Sequence, residues 1–230
     1  MRTGLVAAAF LLGACASSRL PAVTGTPVLD APALAADLSS ASVPAGPFQV
    51  NFDWTLEEGG SRASGKGVVR VEAPERIRLD LFGPRGETYL VAALTDGRYR
   101  FPPTVTATVE LPSPVLLWGA LGIFEIPEDA ALASATVDGP TTEVRYTAPT
   151  GDLYLFAFSS AATGAQPRLR RVERAVGQGI VESVNITRDA DGAVSKAEYR
   201  DWSAFRNLTL AVESRRDVEA FPEDIWRPDA

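Results

Sequence analysis

Histidine is absent from these 230 residues, and cysteine and methionine occur once each. No Ser-His-Asp triad, Cys-His pair or histidine-ligated metal can be assembled from such a chain. A lone cysteine forms no intrachain disulfide. Positive charge is also short: 22 lysines and arginines stand against 29 aspartates and glutamates, a net charge of −7. That balance argues against the basic stripe that nucleic acid demands, and against attraction to anionic lipid surfaces. The acids are scattered, and no spacing brings two of them to one site, so a paired-carboxylate hydrolase has no support. The chain is read as a non-enzyme without cofactor or metal. Calcium is no exception. Asp189, Asp191 and Gly192 begin like a calcium loop, but Val194 and Ser195 do not continue it, so a hairpin turn is expected.

What is present begins at the N-terminus. Arg2 supplies a positive start, residues 6–12 a short apolar run, and Gly13 and Ala14 two small residues before Cys15. The run is too short to span a bilayer. The pattern resembles a bacterial lipoprotein signal, which implies that Cys15 becomes the lipidated N-terminus and its thiol is consumed as a thioether. Each buried methylene contributes roughly 0.8 kcal/mol, so several chains anchor stably where one holds weakly. Ala16 and Ser17 follow, without the aspartate that in such lipoproteins marks inner-membrane retention. The resemblance therefore implies an outer-membrane anchor with the body facing the periplasm. Residues 1–14 read as signal peptide. Residues 15–46, rich in Ala, Ser, Pro and Thr, read as anchor and flexible spacer. A short helix is expected within them over residues 30–38, capped by Asp30 with Pro32 in its first turn.

Residues 47–230 read as one domain. Phe48, Val50, Phe52, Trp54 and Leu56 alternate with Gln49, Asn51, Asp53, Thr55 and Glu57, the period-2 signature of a half-buried strand. Further strands are expected over residues 65–72, 76–82, 88–94, 98–101, 105–111, 142–147, 153–159, 168–174, 180–188, 193–202 and 207–213. Turns at Gly59-Gly60, Pro84-Arg85, Asp96-Gly97 and Asp191-Gly192 separate several of them. Sequons at Asn185 and Asn207 fall inside strands and carry no weight. Arg168, Arg170, Arg171 and Arg174 form the densest positive patch, read as a solvated strand face or a dock for an acidic partner or headgroups.

Residues 113–124 break the strand pattern. Ser113 and Pro114 suit a helix start, and Val115 to Phe124 is apolar nearly all round. Gly119, Gly122 and Glu125 interrupt it and Pro112 and Pro127 bound it, so it is too short to cross a membrane. It is expected to pack across the sheet's apolar face as a lid. A sheet of about ten antiparallel strands must curl, and a curved sheet closed by an apolar helix encloses either a packed core or a cavity.

The chain resembles the LolA/LolB lipoprotein-localisation superfamily. The resemblance rests on the signal ending at Cys15, the strand 48–56, the glycine-rich strand 65–71, the hairpin 79–86 with its Gly-Pro-x-Gly turn, and the proline-led apolar helix. It implies a mainly β fold (α+β): a strongly curved antiparallel sheet forming an incomplete β-barrel with an apolar helical lid. It also implies lipid or lipoprotein acyl chains as cargo, a role in lipoprotein or lipid transport, and a periplasmic carrier protein as partner. The expected cavity residues are Phe52, Trp54, Leu79, Leu81, Leu117, Trp118, Leu121 and Phe124. Pro84 and Arg85 form the expected membrane-facing loop. Where the family has an exposed apolar residue at this tip, Arg85 offers a cation that touches headgroups without entering acyl chains. A monomer is expected. The alternative is a structural lipoprotein with a filled core that docks an envelope complex.

Overall fold

The computed structural model describes residues 19–103, 111–160 and 166–228. Cys15 and residues 105–110 of one expected strand lie outside them.

The described residues are mostly β. Thirteen strands form one antiparallel sheet: β1 (Thr26–Pro27), β2 (Phe48–Glu58), β3 (Ser61–Glu72), β4 (Arg76–Phe82), β5 (Thr88–Thr95), β6 (Arg98–Arg100), β7 (Ala131–Asp138), β8 (Thr141–Thr147), β9 (Leu153–Ser159), β10 (Arg168–Val176), β11 (Gly179–Arg188), β12 (Val194–Asp201) and β13 (Arg206–Asp217). Their order across the sheet is β1-β7-β8-β9-β10-β11-β12-β13-β2-β3-β4-β5-β6. The chain thus runs as two meanders, β2 to β6 and β7 to β13, joined where β13 pairs with β2. The short strands β1 and β6 end the sheet on either side and do not pair with each other. The barrel is therefore incomplete, as the resemblance implies. Two strands had no sequence expectation. β7 (ALASATVD) is built from small residues that give no apolar alternation, and β1 is only two residues long.

Alternation along β2 is seen in its burial: Phe48, Val50, Phe52 and Trp54 point inward and Asp53 is exposed. The glycines of β3 make room for these rings. A Cβ at Gly67 would lie 2.3 Å from the Phe52 ring, and Gly67 is the cross-strand partner of Phe52. Only glycine permits that approach.

Helix α1 (Ala31–Ser42) starts where the sequence places it, with the Asp30 carboxylate accepting from the Ala33 amide at 3.1 Å. It runs four residues further than expected and packs against β7 and β10, burying Ala35 and Leu38. The expectation of a flexible spacer through residue 46 is corrected here. The Leu20 amide donates to the Gln178 carbonyl at 3.0 Å, and Arg145 on β8 donates to the Pro21 carbonyl at 3.1 Å. The chain then pairs with β7 through β1 before α1 begins. Residues 19–42 are thus a strap across the sheet. Its holding contacts come from residues more than a hundred positions away, which local composition does not reveal.

Helix α2 (Pro114–Ala120) is shorter than the expected 113–124, because the chain turns at Leu121 and Gly122, the latter at φ +80°. Ser113 holds the cap position, but its hydroxyl makes no capping bond. Every residue from Val115 to Ala120 is buried. The helix lies across β10, β11 and β12 and divides the interior into two apolar clusters. Leu116 and Ala120 face one, around Phe156; Leu117 and Trp118 face the other, around Trp54. No helix among the described residues is long and apolar enough to cross a membrane.

Candidate functional site: the interior beneath helix α2

Between α2 and the inner faces of β2, β3, β4, β12 and β13 lies an apolar cavity of about 70 Å³. Phe52, Leu79, Leu81, Leu117 and Leu121 line it, five of the eight residues expected from sequence. The other three lie elsewhere. Trp54 is 1% exposed, and its indole N–H donates to the Lys66 carbonyl at 3.0 Å and the Phe82 carbonyl at 3.1 Å. Its ring sits 4.8 Å from that of Tyr89. It pins β2 to the β4–β5 turn and shapes no cavity wall. Trp118 is buried among the Trp54-side residues. Phe124 packs edge-on against Phe156 and Phe158, with centroids 4.6 and 5.2 Å away. Alternation shows that a side chain faces inward but not whether a void lies beside it.

Sequence reasoning omitted the β13 contribution. Leu208, Leu210 and Val212 line the cavity and remain partly exposed, so the interior is least covered along β13. Their alternation was legible; their incomplete cover was not. Tyr199 lines the cavity from the neighbouring strand β12, as the cross-strand partner of Leu208. Its hydroxyl donates to Glu182 Oε1 at 2.7 Å, and Glu182 also accepts from Arg174 Nε at 2.5 Å. Burial, then the neighbouring Glu182 charge, pushes the Tyr199 phenol well above its ordinary value. It stays neutral, while Arg215 places a charge at the edge of the wall.

The size of the void is decisive for its use. A volume of 70 Å³ is about half that of an engineered apolar cavity of about 150 Å³ that admits benzene. An acyl chain does not fit until α2 or the residues around it shift.

The Pro84-Arg85 turn is exposed at its tip. The Gly86 amide donates to Gly83 carbonyl at 3.0 Å, and the Arg85 amide donates to Glu87 Oε2 at 2.9 Å. In a meander, hairpin turns alternate between the two ends of the sheet. This turn therefore shares one rim with the β10–β11, β12–β13 and β2–β3 turns. Phe205, in the β12–β13 turn, is 82% exposed on that rim, at φ +51°. Among the described residues no group of three metal-ligating side chains gathers.

Among solved structures, a LolA superfamily protein from Nitrosomonas europaea superposes with a TM-score of 0.57 at 11% identity, over 85% of this chain and 96% of that one. A DUF1329 family protein from Desulfovibrio piger superposes with a TM-score of 0.52 at 11% identity, over 89% and 98%. The fold is LolA-like. No family model matches the sequence, and no curated protein does. At such identity the LolA-like likeness speaks for the architecture alone, and the use of the hollow must be argued from this chain's own residues.

Proposed function

We propose that the protein is an envelope lipoprotein, anchored in the outer membrane through Cys15 with its body in the periplasm, that holds acyl chains of lipids or lipoproteins beneath α2. The observation that carries this reading is the apolar void between α2 and a sheet whose inner wall is only partly covered along β13. No chemistry is required. Affinity comes from apolar area removed from water, at roughly 25 cal/mol per Å², offset by the cost of shifting α2.

The anchor and the rim agree. Arg19 bridges to Gly179 beside the β10–β11 turn, four residues beyond Cys15. Four extended residues reach about 14 Å. A lipidated Cys15 would thus hold the rim of Pro84, Arg85 and Phe205 close to the bilayer. Arg85 would meet headgroups there, and Phe205 would supply the apolar contact that Arg85 cannot. A periplasmic carrier protein delivering cargo is the expected partner, and the body acts as a monomer.

The second reading, a structural lipoprotein with a permanently closed core, draws on the smallness of the void. The two separate in one experiment. The full chain carrying Cys15→Ala is analysed by native mass spectrometry for co-purified lipid and titrated with a fluorescent fatty acid. Retained lipid and saturable probe binding, both reduced by Leu210→Trp, are expected. A folded protein that gives no signal at saturating probe overturns the transport reading in favour of the closed core.

A further inference from the structure

The far rim holds a cluster that the acyl-binding reading leaves unused. Arg168 begins β10, Arg188 ends β11 on its inner face, and Arg215 lies near the end of β13. All three line a second cavity, of about 410 Å³, whose other walls include residues 41–44 and the Asp191–Ala193 turn. Phe48, Leu121, Val194 and Arg215 line both this cavity and the apolar one, so the two adjoin. The Arg215 guanidinium lies over the Phe48 ring at 3.9 Å, at the boundary between them.

Arg168 and Arg188 are held by backbone carbonyls. Arg188 donates to the Gly192 carbonyl at 3.0 Å and to the Leu169 carbonyl at 3.1 Å. Arg168 donates to the same Gly192 carbonyl at 2.6 Å. Two guanidiniums therefore converge on one acceptor. The Nε of Arg188 is buried without a partner. Neither residue makes an ion pair among the described residues. Asp189 beside them spends its Oδ1 on the Asp191 and Ala193 amides, at 3.0 and 2.9 Å. Asp191 and Asp217 also line the cavity, and Asp217 stands 3.8 Å from Arg215. Two glycines let the guanidiniums approach the backbone: a Cβ at Gly122 would lie 2.7 Å from Arg188 Nη2, and one at Gly192 2.3 Å from Arg168 Nη1. Burial, then the like charges of Arg168 and Arg215, pulls the Arg188 pKa below its ordinary value. Arg188, partly buried and without an ion pair of its own among the described residues, stands close to two further cations, an arrangement that an anion would relieve. The guanidinium fork suits phosphate.

We propose that Arg168, Arg188 and Arg215 form a headgroup site for an anionic, phosphate-bearing amphiphile whose acyl chain enters the adjoining apolar cavity. This rests on the acyl-binding reading and specifies its ligand class. The site lies on the rim away from Arg19, so the ligand would enter from the aqueous side rather than directly from the anchoring membrane.

The test uses the Cys15→Ala chain and two probes of equal chain, oleoyl lysophosphatidic acid and monooleoylglycerol, which differ by the phosphate alone. Inorganic phosphate is the third arm. Isothermal titration should give at least tenfold tighter binding of the phosphate-bearing probe. Arg188→Gln and, separately, the more exposed Arg215→Gln should remove that preference while leaving monooleoylglycerol binding within twofold. Equal binding of both probes, or a preference untouched by either substitution, overturns the headgroup site but leaves acyl binding standing. If neither probe binds, the acyl reading falls and the amphiphile site falls with it. Arginine-dependent binding of inorganic phosphate alone would instead mark a free-anion site, and would also overturn the proposal.

Discussion

Trp54 is the side chain whose sequence reading and structural position differ most. A large ring on an inward strand face invites a cavity role, yet its N–H is spent on two backbone carbonyls of neighbouring strands. Trp54→Phe should cost about 1–3 kcal/mol in urea denaturation, with acyl-probe affinity unchanged because the ring lines no void. Asp201 is a second residue with a structural task. Its Oδ1 accepts from the Ser203 amide and hydroxyl at 2.8 and 2.6 Å and from the Ala204 amide at 2.9 Å, fixing the turn that presents Phe205. Burial pushes this carboxyl up, but the donors outweigh it and hold it below its ordinary value. Its contribution is therefore present above the unfolded aspartate pKa and is lost as pH falls through the lower folded one. Asp201→Ala should cost about 1–2 kcal/mol at neutral pH. The gap between variant and parent in thermal melts should narrow below about pH 4. At this scale the sequence tells which way a side chain faces. It does not tell what that side chain touches, because Trp54 meets the Phe82 carbonyl through strand pairing 28 residues away.

Among elements, α2 and the strap carry the account. Gly119 faces β10, and a Cβ there would stand 2.6 Å from Val172 Cγ2, with Val172 fully buried. Gly119→Ala gains about 1 kcal/mol in helix propensity, but overpacking costs typically about 1–3 kcal/mol. A net loss of stability is expected, relieved by adding Val172→Ala, and chemical denaturation reads both. The strap depends on Arg145, 6% exposed, which pairs with Glu143 at 2.7 Å and holds the Pro21 carbonyl. Arg145→Met should speed proteolytic cutting within residues 19–25 while the sheet persists by circular dichroism. β2 was legible because its face alternates without interruption. β7 was not, since alanine, serine and threonine carry too little apolar contrast to mark a face. The strap was hidden because its sequence looks like linker, and what holds it is a buried arginine on a distant strand.

The described residues form a curved open sheet with a short apolar helix inside it, one rim with Phe205, and the opposite rim with three arginines. The fold class was legible from strand count and the helix that interrupts the strands. The cavity was not, because a packed core and a lined void use the same residue types, and only the fit of α2 against the sheet decides its volume. That volume, about 70 Å³, makes the central claim one about movement, in which α2 shifts from its place against β10 to admit an acyl chain. A lock can be built there. The Cβ position at Gly119 is 3.3 Å from Val172 Cβ, near the separation of about 3.5–4.5 Å that a disulfide spans. The measurement is titration of a fluorescent fatty acid into the Cys15→Ala chain carrying Gly119→Cys and Val172→Cys, oxidised and then reduced. The account predicts saturable binding in the reduced protein and its loss on oxidation. Equal binding in both states would contradict it.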